Sequence, residues 1–98
     1  MRIIVLSNLA ARKLEELLSY LEAEWSEKVK AYFIHELDKS LLQACKYPLS
    51  YEKSQLKSGL HRCVVNKQTT LYYKFDAKKV YVVTIFDTRQ HPKKLNLE

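Results

Sequence analysis

The sequence predicts an α+β fold in which a two-helix hairpin packs on a mainly antiparallel sheet. Three features predict it: a short apolar strand at the N-terminus, two amphipathic stripes at helical spacing, and three β-branched, aromatic-rich segments separated by short turns. With 98 residues, 47% hydrophobic content, one Gly and two Pro, the chain can bury one modest core and not two, so residues 1–98 are read as one domain. This apolar share offsets the entropy of ordering and excludes a disordered, collagenous or low-complexity chain.

Arg2 to Leu6 reads as a short buried strand that ends at Ser7-Asn8, both good helix N-caps. A first helix follows, with Ala10, Leu14, Leu17, Leu18, Leu21 and Trp25 at three- and four-residue steps and charged residues opposite. Ser26 closes it and opens a second, with Glu27 in the new first turn, where negative charge suits the helix dipole. The second stripe is Val29, Tyr32, Phe33, Leu37, Leu41 and Ala44, and the helix should stop before Pro48. With almost no loop between them the helices must form a hairpin, and a sheet must cover their stripes.

Tyr47 to Gly59 mixes Pro, Ser and Lys and reads as a surface loop. Leu60 to Asn66, Thr69 to Asp76 and Val80 to Asp87 then read as an antiparallel meander. In the middle strand Leu71, Tyr73 and Phe75 belong against the helices, with Thr70, Tyr72 and Lys74 on the other face. The first meander strand divides into Leu60, Arg62, Val64 and His61, Cys63, Val65, and alternation alone does not say which set is inward. A basic tail, Thr88 to Leu95, follows Asp87, and Pro92 breaks any further strand.

Charge is uneven: residues 1–52 sum to −1 and residues 53–98 to +7, within a total of +6. A one-sided positive field favours a polyanionic partner, either nucleic acid or an acidic protein segment. The longest apolar runs, Ile3 to Leu6 and Val80 to Val83, fall far short of the roughly 20 residues that cross a bilayer, and the start lacks a signal-peptide pattern, so a cytoplasmic protein without membrane contact is expected. Cys45 and Cys63 have no second ligand at zinc-site spacing and read as reduced core thiols; neither metal nor cofactor is expected. Phosphate-cradling glycine loops, paired catalytic carboxylates and nucleophile motifs are missing from the sequence.

Trp25-Ser26 at the helix junction, Phe33 and Leu37, Pro48, Leu71-Tyr72-Tyr73, and above all Ile85-Phe86-Asp87-Thr88-Arg89-Gln90-His91-Pro92-Lys93-Lys94-Leu95 together resemble the RelE/ParE superfamily of bacterial type II toxin–antitoxin modules. The closing stretch is similar to that of small plasmid-stabilisation proteins, and the likeness covers nearly the whole chain. It implies a RelE-like fold and a growth-inhibiting toxin neutralised by a cognate antitoxin, as a homodimer or a toxin–antitoxin hetero-oligomer. For the target it implies either DNA gyrase, poisoned by binding as in the ParE branch, or messenger RNA on the ribosome, cleaved as in the RelE branch. The RNA-cleaving branch places an arginine where this sequence has Thr69-Thr70, which favours the ParE reading.

An endoribonuclease needs a base, an acid and a charge clamp on the scissile phosphate. The resemblance offers Arg89 as clamp, and His91 beside Arg89 or His61 beside Arg62 has an imidazole that could transfer the proton, with Arg62 joining Arg89 in the catalytic set. For binding nucleic acid or antitoxin, Lys57, Arg62, Lys74, Arg89, Lys93 and Lys94 supply cations and Tyr72 a stacking ring. Lys78-Lys79 at a turn read as solubilising charges. The expected picture is a helix hairpin on one side of the sheet and a shared cationic hollow on the other.

Overall fold

The structure, a computed structural model, describes residues 1–55 and 59–90. Its elements are β1 (Ile3–Leu6), α1 (Asn8–Glu24), α2 (Glu27–Lys46), a 3-10 turn at Pro48–Ser50, β2 (His61–Val64), β3 (Thr69–Phe75) and β4 (Lys79–Asp87). The predicted α+β architecture is present: two helices pack on a four-stranded mixed sheet ordered β1-β4-β3-β2. β1 runs parallel to β4, and β2, β3 and β4 form the antiparallel meander.

The caps form where the sequence places them. The Ser7 hydroxyl accepts the Ala10 N–H at 2.9 Å and donates to the Val83 carbonyl at 2.6 Å, so one side chain starts α1 and ties it to β4. The Ser26 hydroxyl accepts the Val29 N–H at 3.0 Å and starts α2 two residues after α1 ends. Buried Leu17, Leu21, Phe33, Leu37 and Ala44 meet Cys63, Leu71, Tyr73, Val80, Val82 and Ile85 in one core. Two members of the predicted stripes stay outside it: Trp25, at the end of α1, is half exposed, and Tyr32 is 63% exposed. Phe33, also in the predicted stripe and one helical step of about 100° further on, does turn inward.

The surface loop expected at Tyr47 to Gly59 is in part a structural element. Pro48 is buried, and its carbonyl accepts the Tyr73 hydroxyl at 2.5 Å. A phenol in the core must find an acceptor, and this turn supplies it. Tyr51 then packs edge-on against Tyr73, and the Lys53–His61 bridge lays the chain along β2.

One irregularity decides which β4 side chains face the helices. Tyr72 pairs with Thr84 but Tyr73 with Val82, so Val83 is an extra residue in β4. Val80 and Val82 point inward before this bulge, and Ile85 and Asp87 after it. No helix among the described residues is long and apolar enough to cross a membrane.

Candidate functional site

The structure settles the face left open in β2. His61 and Cys63 turn inward and are buried, while Arg62 and Val64 point outward and are exposed. His61 therefore lies opposite to Arg62. Its ring stacks on Tyr73 with centroids 5.3 Å apart and approaches Phe75 at 5.4 Å, and its Nδ1 lies 2.9 Å from the Tyr51 carbonyl oxygen. With 7% exposure, this imidazole is a core group, and the expected pairing of His61 with Arg62 in one catalytic site is not formed.

Tyr72 faces outward, as alternation predicts, yet is only 1% exposed, so its ring offers no open stacking surface. Exposed cations stand around it on this face. Arg62 stands opposite Tyr72 in the β2–β3 register, and Lys74 is two residues along the same face. Tyr81, opposite Lys74 on β4, lies under two ammonium groups, Lys74 Nζ at 6.0 Å and Lys79 Nζ at 5.9 Å from its ring centroid. Lys79, read from sequence as a turn charge, thus belongs to this outer face with Arg62 and Lys74. The face suits an anionic partner.

Arg89 is elsewhere. It follows Asp87, which the bulge has turned toward α1, and its guanidinium grips that carboxylate: Nε donates to Oδ1 at 3.2 Å and a terminal nitrogen to Oδ2 at 2.9 Å. The Asp87 side chain is 1% and the Arg89 side chain 13% exposed. The Thr69 hydroxyl donates to Asp87 Oδ2 at 2.5 Å, and the Arg89 backbone N–H donates to Oδ1 at 2.9 Å. The guanidinium carbon sits 5.9 Å from the Trp25 ring centroid, and the Tyr20 hydroxyl donates to the Arg89 carbonyl at 3.1 Å. Arg89 is a latch between the end of β4 and the end of α1.

The expected shared hollow of Lys57, Arg62, Lys74 and Arg89 is therefore divided: Arg62 and Lys74 share the outer face, and Arg89 lies on the helix side. Lys57, His91, Lys93 and Lys94 lie outside the described residues. Nothing in the sequence order marks the latch partners Asp87, Thr69 and Trp25 as a unit. The available signal was the spacing Asp87-Thr88-Arg89, which puts both charged side chains on one face of an extended chain.

Beneath the β2 edge, the hydroxyls of Ser40 and Tyr51 and the thiol of Cys63 hydrogen-bond one another. Burial pushes the Tyr51 phenol up to about 12 and raises the Cys63 thiol, so both are neutral near pH 7. These are hydrogen-bonding groups without nucleophilic character.

The model of one protein family, described as the ParE toxin of the type II toxin–antitoxin system parDE, matches residues 4–92. Among solved structures, the chromosomal ParDE system from P. aeruginosa matches at 8% identity with TM-score 0.72, covering 89% of this chain and 95% of that one. The E. coli DinJ–YafQ toxin–antitoxin complex matches at 12% identity and TM-score 0.61, covering 92% and 96%. The YoeB dimer from Staphylococcus aureus matches at 13% identity and TM-score 0.60, covering 87% and 94%. At such identities these likenesses establish the fold. No curated protein matches the chain.

Proposed function

Because the chain belongs to the ParE toxin family of type II toxin–antitoxin systems, we propose that it arrests growth by binding DNA gyrase and trapping it on cleaved DNA, and that a cognate antitoxin neutralises it. The observation that carries the choice of target is the commitment of Arg89 to Asp87. Messenger cleavage needs a clamp, a base and an acid around one phosphate. For Arg89 to serve as the clamp it must leave a carboxylate of 1% exposure, and uncovering a buried charge costs about 3–5 kcal/mol. His61, stacked in the core, is equally committed. A toxin that works by binding needs neither group free, and the outer cationic face of Arg62, Lys74 and Lys79 offers the contact surface.

The test incubates the purified protein with gyrase and supercoiled plasmid, and in parallel with translating ribosomes. Expected are trapped gyrase–DNA complexes, reduced by Lys74→Glu, with messenger left intact. Site-specific messenger cuts that disappear in Arg62→Ala would replace this reading with the endoribonuclease.

A further inference from the structure

On the outer face of the sheet, two lysines share one aromatic ring. Lys79 and Tyr81 lie two residues apart on β4, ahead of the bulge at Val83, so both side chains rise on the same side. Lys74 reaches that side from β3, where it stands opposite Tyr81. Its ammonium lies 6.0 Å from the ring centroid, and that of Lys79 lies 5.9 Å from it. Two like charges are thus held around one ring.

Neither ammonium has an ion-pair partner among the described residues. Asp76, in the turn before Lys79, feels the charge of that lysine, but its Oδ1 accepts the backbone N–H groups of Lys78 and Lys79 at 2.8 Å each. The negative face of the Tyr81 ring offsets part of the repulsion between the two ammoniums, and an anion bound to both offsets the remainder. The ring also confines two long side chains, so less freedom is left to lose when that anion binds.

We propose that Tyr81 is a positioning residue that holds Lys74 and Lys79 as a paired contact for the phosphate backbone of duplex DNA. The inference rests on the gyrase reading above and deepens it, naming the DNA of that complex as what the outer face touches. An ammonium is a compact point charge that suits phosphate oxygens, whereas a carboxylate is best matched by the planar fork of arginine. Lysine is depleted at protein–protein interfaces, while protein–DNA interfaces are much more positively charged. Phosphates follow one another at ~3.4 Å of axis along one DNA strand, so ammoniums held around one ring find partners on a single strand. Contacts of this kind fix position on the duplex and read no base sequence.

The experiment measures binding of the full chain to a short fluorescein-labelled DNA duplex by anisotropy across a salt series, with unlabelled duplex, single-stranded RNA and poly-glutamate as competitors. Gyrase trapping by the same preparation is scored in parallel. Lys74→Gln and Lys79→Gln are each expected to weaken duplex binding about fivefold near physiological salt and to reduce the salt slope by about 1, as one lost phosphate contact does. Tyr81→Leu should weaken it about three- to fivefold by freeing both lysines, and Tyr81→Phe, which keeps the ring, should bind as wild type does. Should Tyr81→Leu fail to fold, Tyr81→Thr, a strand-forming residue without a ring, takes its place. Lys78→Gln removes the same charge from an exposed neighbour outside the pair and should change affinity less than about twofold.

Equal losses in Lys78→Gln and Lys74→Gln would overturn the paired contact in favour of diffuse charge. Full affinity without the ring would overturn the role of Tyr81. Stronger competition by RNA or poly-glutamate than by unlabelled duplex would overturn the assignment to DNA. In each of these cases, trapping by the wild-type chain leaves the gyrase reading standing. The expected duplex pattern without trapping supports the pair as a DNA contact and removes gyrase as the target.

Discussion

Replacing Arg89 with alanine tests the latch directly. The substitution removes two charge-assisted hydrogen bonds to Asp87, at 3.2 and 2.9 Å, and leaves a carboxylate of 1% exposure without its countercharge. Each such bond contributes about 1.5–3 kcal/mol, and breaking a buried pair costs about 3–5 kcal/mol. The Thr69 hydroxyl and the residue-89 backbone N–H still donate to Asp87, which puts the expected loss near the lower end, about 3 kcal/mol. A domain of this size is stable by roughly 5–15 kcal/mol, so the melting temperature should fall by about 12–24 °C. Urea and thermal unfolding, read by circular dichroism and by the fluorescence of Trp25, the one tryptophan of the chain, give the number. Adding Asp87→Asn should recover at least about 1 kcal/mol, because the amide needs no countercharge. A loss below about 1 kcal/mol in Arg89→Ala would refute the reasoning and return Arg89 to the set of groups free for a partner.

Three further outcomes follow from local geometry. Ser7→Ala should cost about 1–2 kcal/mol in urea unfolding, since one hydroxyl both caps α1 and donates to Val83 on β4; Ser7→Asp should keep the cap and lose the bond to β4. Asp76 accepts the N–H groups of Lys78 and Lys79 at 2.8 Å each, which hold its carboxyl below the usual value; its contribution is present above pH about 4 and is lost as pH falls through the lowered value. Asp76→Ala should therefore narrow the stability gap to wild type on acidification in a two-dimensional pH–urea series. Tyr51 titrates at about 12, raised chiefly by burial; a raised phenol stabilises the fold below its ordinary value near 10 and ceases to do so as pH climbs toward 12. Tyrosinate absorbance should show Tyr51 ionising only with alkaline unfolding, and Tyr51→Phe should remove that step.

Much of this architecture is legible in the sequence because it rests on short-range rules. Ser7 and Ser26 are visible as caps, Pro48 as a stop, and Leu71, Tyr73 and Phe75 as an inward set by simple alternation. The placement of chemistry is less legible because it depends on events that alternation does not carry. Strict period two from Val80 and Val82 would send Thr84 and Phe86 inward and Asp87 out to solvent. The extra residue at Val83 reverses this and brings Asp87 to α1, and Arg89 follows it. His61 shows a different limit. Its neighbours Arg62 and Cys63 suggest a mixed strand, and only the ring cluster of Tyr51, Tyr73 and Phe75 on the inner face makes a buried imidazole acceptable there.

The same bulge bears on whether this sheet gathers its charged groups into one centre or spreads them over a face. A catalytic centre requires its cations and proton-transfer groups within reach of one phosphate, whereas a binding face requires only that like charges share a side of the sheet. Here the extra residue in β4 puts Arg89 on the helix side with a buried partner, while Lys74 and Lys79 lie over Tyr81 on the other face and Arg62 stands beside Tyr72 on that same face. Arg89 then fixes α1 against β4, and the opposite face of the sheet carries the outer cations. Deleting Val83 would restore unbroken alternation, turn Asp87 outward and take the latch apart. Arg89 would gain exposure and α1 would lose its tie to β4, at a cost in stability of the same order as Arg89→Ala.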